Sequence, residues 1–123
     1  MAYTHSFREQ FRKKLQSLSD QEINVLLAKA IGWADEDTQP TKLRGVVVGL
    51  EVQDHKRNGA YRAFDYKDWN TICPIAERYD LFPCRYTSNA PEARWSADSQ
   101  SPEGASPQKA IAFDMIERVA LNE

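Results

Sequence analysis

Apolar residues fall at helical spacing in four places along this chain and at strand-like density in four others. Phe7, Phe11 and Leu15 recur at i, i+4 and i+8 and predict a helix over about residues 5–17. Arg8, Arg12, Lys13 and Lys14 occupy its other faces. Ile23, Leu26, Leu27, Ala30 and Ile31 keep a helical period in a second stretch. Ser19-Asp20-Gln21-Glu22 precedes it as a capping box, and Gly32 suits the left-handed residue that ends it, with Trp33 packing back on the last turn. Residues 34–40, A-D-E-D-T-Q-P, read as an acidic turn. Residues 45–53, G-V-V-V-G-L-E-V-Q, are rich in β-branched side chains and predict a strand, with Gly49 marking a bulge. Asn58-Gly59 is a hairpin signal, and residues 60–66 return as a second strand.

The second half repeats the alternation of element types. Residues 68–77, D-W-N-T-I-C-P-I-A-E, carry a helix start at Asp68 or Asn70. Pro74 favours Asn70, because a proline is tolerated only near the first turn. The helix then runs from about Thr71 to Tyr79 and buries Ile72, Ile75, Ala76 and Tyr79. Residues 83–88 and 92–97 read as an antiparallel pair, with Trp95 inward. Residues 98–106 read as a flexible polar loop. Ser106 caps a last helix, and Pro107 takes its first position. The expected fold is α+β, with helices packed around a small antiparallel β-sheet and an extra N-terminal helix (residues 1–18) at the periphery.

With 123 residues the chain has the size of one domain, and 41% hydrophobic residues suffice for a core. The formal charge of −2 argues against a protein built to neutralise many phosphates. The charge is uneven, +2 over residues 1–67 and −4 over residues 68–123, which is too mild to name a partner. The polar start of the chain lacks the apolar core of a signal peptide, and no run has a membrane span's length. A cytoplasmic protein with Cys73 and Cys84 as thiols is the expectation.

From Leu27 onward the layout resembles the phage ABA-sandwich domain family, which includes proteins of the NinX type. The residues that carry the resemblance are L-A-K-A-I-G-W (27–33), Y-K-D-W-N-T-I-C-P-I-A-E-R-Y (66–79), R-W-S-A (94–97) and S-P-Q-K-A-I-A-F-D-M-I (106–116). The resemblance covers roughly two-thirds of the chain and rests on the order and spacing of these pieces. It leaves out the helix at 5–17, and residues 34–65 look like an insertion relative to the shortest members. It implies a sandwich of helices around a small antiparallel sheet in a protein encoded by a bacteriophage or prophage. It implies no catalytic residue and no cofactor.

The side chains themselves point the same way. The phosphate-cradling glycine motifs and the nucleophile elbow do not occur in the sequence. His5 and His55 are the only histidines, and their spacing from each other and from the cysteines matches no zinc pattern. Asp35, Glu36 and Asp37 lack the spaced oxygens and the glycine of a calcium loop. No catalytic residue, metal ligand or cofactor is therefore assigned. The expected role is that of a phage or prophage accessory protein that binds another phage or host protein. Phe7, Phe11 and Leu15 on the first helix, with Tyr61, Tyr66 and Trp69, are the candidate binding residues. A homodimer through a free sheet edge is compatible with this reading. The first alternative is a nucleic-acid-associated protein using Arg8, Arg12, Lys13, Lys14, Lys42, Arg44, Lys56, Arg57 and Arg62. The second is a small enzyme using Cys73 or the carboxylates Asp65, Asp68 and Glu77.

Overall fold

The computed structural model describes residues 5–53, 59–86, 94–96, 102 and 104–121. Among them are four α-helices: α1 (His5–Gln16), α2 (Asp20–Ala30), α3 (Trp69–Tyr79) and α4 (Pro107–Leu121). Strands β1 (Thr38–Leu43), β2 (Val46–Gln53) and β3 (Tyr61–Ala63) form a three-stranded antiparallel sheet in the order β1-β2-β3. Strands β4 (Cys84–Tyr86) and β5 (Arg94–Ser96) form a separate antiparallel pair. The fold is α+β, as the pattern of elements predicts. Its small sheet is divided in two.

α4 is the central element. Every residue from Ala110 to Glu117 is buried, which is the signature of a helix covered on all sides. α2, α3 and β5 pack on it, and α2 in turn carries β2. Phe113, Ile111, Ile23, Leu27, Ile72, Leu81 and Val52 are fully buried and form one continuous core. Burying each such side chain stabilises the fold by about 1.5–3 kcal/mol. α1 belongs to this core rather than to the periphery. Its Leu15 is 2% exposed within the central cluster, and Phe11 packs against that cluster.

The local signals explain most element boundaries. Ser19 accepts from the Glu22 amide at 3.2 Å, and the Glu22 carboxylate accepts from the Ser19 amide at 3.0 Å. α2 ends on Gly32 (φ +103°), with Trp33 N–H bonded back to the Ala28 carbonyl and Gly32 N–H to that of Lys29. Ser106 Oγ accepts from the Lys109 amide at the start of α4. Arg44 and Gly45, both at positive φ, make the two-residue turn between β1 and β2. The register of that hairpin shifts between Thr41 and Lys42, which leaves Val48 as the extra residue beside Gly49. Gln21 Nε2 donates to the Gly49 carbonyl at 2.9 Å and holds the bulge to α2.

Three expectations are corrected. Residues 38–40, read as the end of the acidic turn, instead begin a strand that runs to Leu43, and only Asp35–Asp37 before them coil into a single 3-10 turn. The valine-rich β2 supplies a partner that T-Q-P-T-K-L does not advertise by itself. α3 starts one residue after Asp68, whose carboxylate accepts from the Asn70 amide at 2.9 Å. Pro74 therefore sits in the second turn of the helix, where its missing N–H removes the bond that the Asn70 carbonyl would receive. Both residues are on the exposed side, so the helix tolerates the loss. Finally, within residues 98–106, Pro102 and Gly104 are buried, and Gly104 exchanges two backbone hydrogen bonds with Trp95. The Asn58 half of the hairpin signal lies outside the described residues, as do residues 87–93.

Candidate functional site

The candidate binding residues separate into two groups. Phe7 (45% exposed), Tyr61 (40%) and Trp69 (48%) reach solvent. Leu15 and Tyr66 do not, and Phe11 is half-buried against the core. Leu15 and Tyr66 are therefore removed from the binding set. For Leu15 the reason is the one-sided stripe of α1, which turns this residue into the central core cluster. For Tyr66 it is a polar anchor: its N–H donates to Asn24 Oδ1 at 2.8 Å, and its hydroxyl donates to Asp20 Oδ1 at 2.6 Å. Lys67 Nζ donates to the other oxygen of the same carboxylate at 3.1 Å. The Tyr66 and Lys67 bonds hold the Asp20 carboxyl below the usual carboxylate range. Burial, with the Asp20 charge beside it, pushes the Tyr66 phenol far above its ordinary value. Tyr66 thus ties the entry of α3 to the start of α2.

Two of the three carboxylates considered for chemistry have structural tasks, and the third lies away from them. Asp65 accepts from the Lys67 amide, and Asp68 caps α3. Glu77 lies nine residues beyond Asp68 on the same helix, about 13 Å along its axis. Cys73 is a half-buried free thiol on α3. The side chains of Cys84, His5 and His55 lie outside what is described. Among the described residues no group of three or more potential metal-ligating side chains is found.

The basic residues of the nucleic-acid alternative are dispersed. Arg12 is engaged by Glu117 of α4 through two hydrogen bonds of 2.8 and 2.9 Å. Arg8, Lys13 and Lys14 stay on α1, Lys42 and Arg44 on the β1-β2 hairpin, and Arg62 on β3. Lys56 and Arg57 lie outside the described residues.

Two surface features emerge that the pattern along the chain does not mark. The first is the end of the β1-β2 hairpin. Leu43 and Val46 face each other across its turn, and with Val47 and Val48 they are 45–64% exposed. Four large aliphatic side chains thus stand in water on one short arm, Leu43 and Val46 on one face and Val47, opposite Lys42, on the other. β1 carries Pro40 on this arm. Pro40 stands opposite Leu50, whose carbonyl accepts from Phe64 N–H on the far side of β2, so the Pro40 position faces the free edge. A proline there offers no donor, and Lys42 adds a charge two residues on, which opposes strand addition at this edge.

The second feature is a groove of about 600 Å³ between the end of α2, the sheet and α3. Its floor is apolar, with Phe64 and Ile75 buried and Trp33 and Tyr79 at the sides. Its rim is polar, with Arg62 from β3, Arg78 from α3 and Asp37 from the 3-10 turn. The Arg78 guanidinium lies 5.5 Å from the centre of the Tyr79 ring. Comparisons with protein-family models, with curated proteins and with solved structures gave no match. Among the described residues no helix is long and apolar enough to cross a membrane.

Proposed function

We propose that this chain is a phage- or prophage-encoded accessory protein that acts by binding another protein in the host cytoplasm. The observation that carries the reading is the apolar arm. Leu43, Val46, Val47 and Val48 stand in water although the core has its own full complement of aliphatic side chains. Leaving such side chains exposed forfeits burial energy that a partner surface would recover. Pro40 and Lys42 guard the adjoining edge, so self-addition of strands is opposed while the side-chain surface of the arm stays open. Trp69 and Tyr61 add exposed aromatic anchors of the kind that dominate interface energetics. The order of the Gly-Trp, Asp-Trp, Arg-Trp and Ser-Pro pieces in the sequence supports the phage origin.

Site-specific crosslinking tests this reading. A photoreactive residue at position 47, introduced in infected or lysogenic cells, is expected to trap one heterologous protein in a discrete band. The same residue at position 36, on the acidic turn, is expected not to trap it. Recovery of uncrosslinked chain alone, or of the chain joined only to itself, would remove the proposal.

A further inference from the structure

We infer that the tip of the β1-β2 hairpin is a docking element for an acidic segment of a partner protein, which closes over both faces of the tip with apolar side chains. This deepens the protein-binding reading and rests on it, because it names the chemistry of the partner.

The charge of the tip selects an acidic occupant. Residues 42–48, K-L-R-G-V-V-V, are exposed without a break. They hold two cations and no acid in a chain of net charge −2, so the remainder of the molecule carries −4. Arg12, Lys67 and Arg118 each have a carboxylate partner, at 2.8, 3.1 and 3.0 Å. Lys42 and Arg44 are in no ion pair among the described residues. Two unmatched cations set among bare aliphatic side chains attract carboxylates on an apolar background.

The geometry of the tip selects an enclosing partner. Leu43 and Val46 pair across the turn and share one face, while Lys42 and Val47 are the next pair and share the other. Arg44 sits in the turn itself at φ +53°. A flat surface laid on one face leaves the aliphatic side chains of the other in water.

Other polyanions and a second copy fit less well. Residues 38–50 contain no aromatic ring on which a base could stack, and aliphatic side chains gain nothing from a phosphate backbone. Val47 and Val48 share a cleft of about 360 Å³ with Asp20, Asp65 and Lys67. The Lys67 ammonium is taken by Asp20, so Asp65 leaves this cleft negative. Anionic headgroups pressed over Val47 would meet that charge, whereas a protein segment can set its acids at the tip and a neutral or basic residue at the cleft. A second copy meeting arm to arm would bring Lys42 and Arg44 against their own kind.

The test uses the full chain. It is immobilised and panned against a displayed library of random dodecapeptides, and the selected sequence is then synthesised with a fluorophore for anisotropy titration. The expected selection carries Asp or Glu flanking Leu, Ile, Phe or Trp. Lys42→Glu with Arg44→Glu should weaken the peptide by more than about tenfold, because attraction becomes repulsion. Leu43→Ser with Val46→Ser, and Val47→Ser with Val48→Ser, should each weaken it by about tenfold. Lys13→Glu with Lys14→Glu on α1 makes the same change in net charge and should leave the affinity within about twofold, since those sites are screened from the tip. Melting temperatures of the tip variants should stay within about 4 °C of the parent's, and a larger fall would show a tip packed on the body and overturn the inference. Selection of no peptide, of peptides without acids, or of peptides that bind the tip variants as well as the parent would also overturn it. So would vesicles of phosphatidylglycerol and phosphatidylethanolamine, or a duplex DNA oligonucleotide, that bind the chain more tightly than the selected peptide and fail to bind Lys42→Glu with Arg44→Glu. In each of those cases a heterologous crosslink from position 47 would still stand, and the accessory-protein reading with it. Tip-dependent acidic peptides together with no crosslinked cellular protein would do the reverse.

Discussion

Arg12 of α1 and Glu117 of α4 hold each other by a fork, Nε to Oε2 at 2.8 Å and Nη2 to Oε1 at 2.9 Å. They lie 105 residues apart in the chain. The Glu117 side chain is 9% exposed and that of Arg12 28%, so water competes weakly for the carboxylate. A forked pair of this kind depends on the planar guanidinium.

Removing one partner should therefore cost more than an ordinary surface pair. Arg12→Ala is expected to lower unfolding free energy by about 2 kcal/mol, below the range for fully buried pairs because Arg12 is partly solvated. Arg12→Lys should recover less than half of the loss. Urea titration of the three proteins at neutral pH measures both numbers. Equal stability of Arg12→Ala and the parent would show that the fork contributes nothing.

Tyr66 and Asp20 give the fold a dependence on acid. The folded Asp20 pKa lies below its unfolded value, so the stabilisation is complete above about pH 4–5 and fades as pH falls through the folded value. Tyr66→Phe removes the hydroxyl that contributes most to this depression. The variant should be less stable by about 1 kcal/mol at pH 7. The gap between variant and parent should narrow as pH is lowered below about 4. A gap that is constant from pH 7 to pH 2.5 would mean that the hydroxyl acts through packing alone. At the alkaline end the raised Tyr66 pKa predicts the opposite slope, with stability falling as pH rises above about 10.

Gly104 crosses the first turn of α4 so closely that an added Cβ would lie 2.4 Å from the Ala110 nitrogen. Ala110 N–H is itself bonded to the Ser106 carbonyl, so this backbone has little room to yield. Gly104→Ala should destabilise by about 2–3 kcal/mol, the scale of overpacking against a rigid wall. Thermal melts of the variant beside Ala105→Gly, whose parent residue is exposed, separate close approach from a general effect on the segment. A Gly104→Ala melt within a degree of the parent would contradict the packing.

The arm is expected to behave in the contrary way. Val47→Ser with Val48→Ser changes side chains that already meet water, so stability should shift by no more than about 0.5 kcal/mol. The crosslink to a cellular partner should disappear. A large loss of stability would show that the arm packs on the body instead of presenting itself.

Sequence signals were strongest where the chain satisfies its own ends. Ser19, Gly32, Ser106 and Pro107 could be placed because a cap involves residues three or four apart. β1 was hidden because its strand character is lent by β2; T-Q-P-T-K-L has little alternation of its own and contains a proline. That Asp68 and not Asn70 caps α3 has a related reason. A rule against inner prolines assumes that the lost bond is costly, and here the orphaned carbonyl faces out. Leu15 and Tyr66 looked like neighbours of exposed Phe7 and Trp69, yet one-dimensional spacing does not say which aromatic a neighbouring helix covers. The groove was illegible altogether, since its walls come from residues 31–34, 37, 53, 62–64 and 70–79, which meet only after the sheet has docked on α2.

The placement of α4 bears on how the molecule is made. A growing chain emerges from the ribosome with α1, α2 and the sheet long before residues 110–117 exist to fill the space between them. Until then Leu15, Ile23 and Leu27 have no keystone, and Arg12 has no carboxylate to grip. Assembly should consequently occur in one late step, and nascent fragments that stop short of α4 should be prey to proteases.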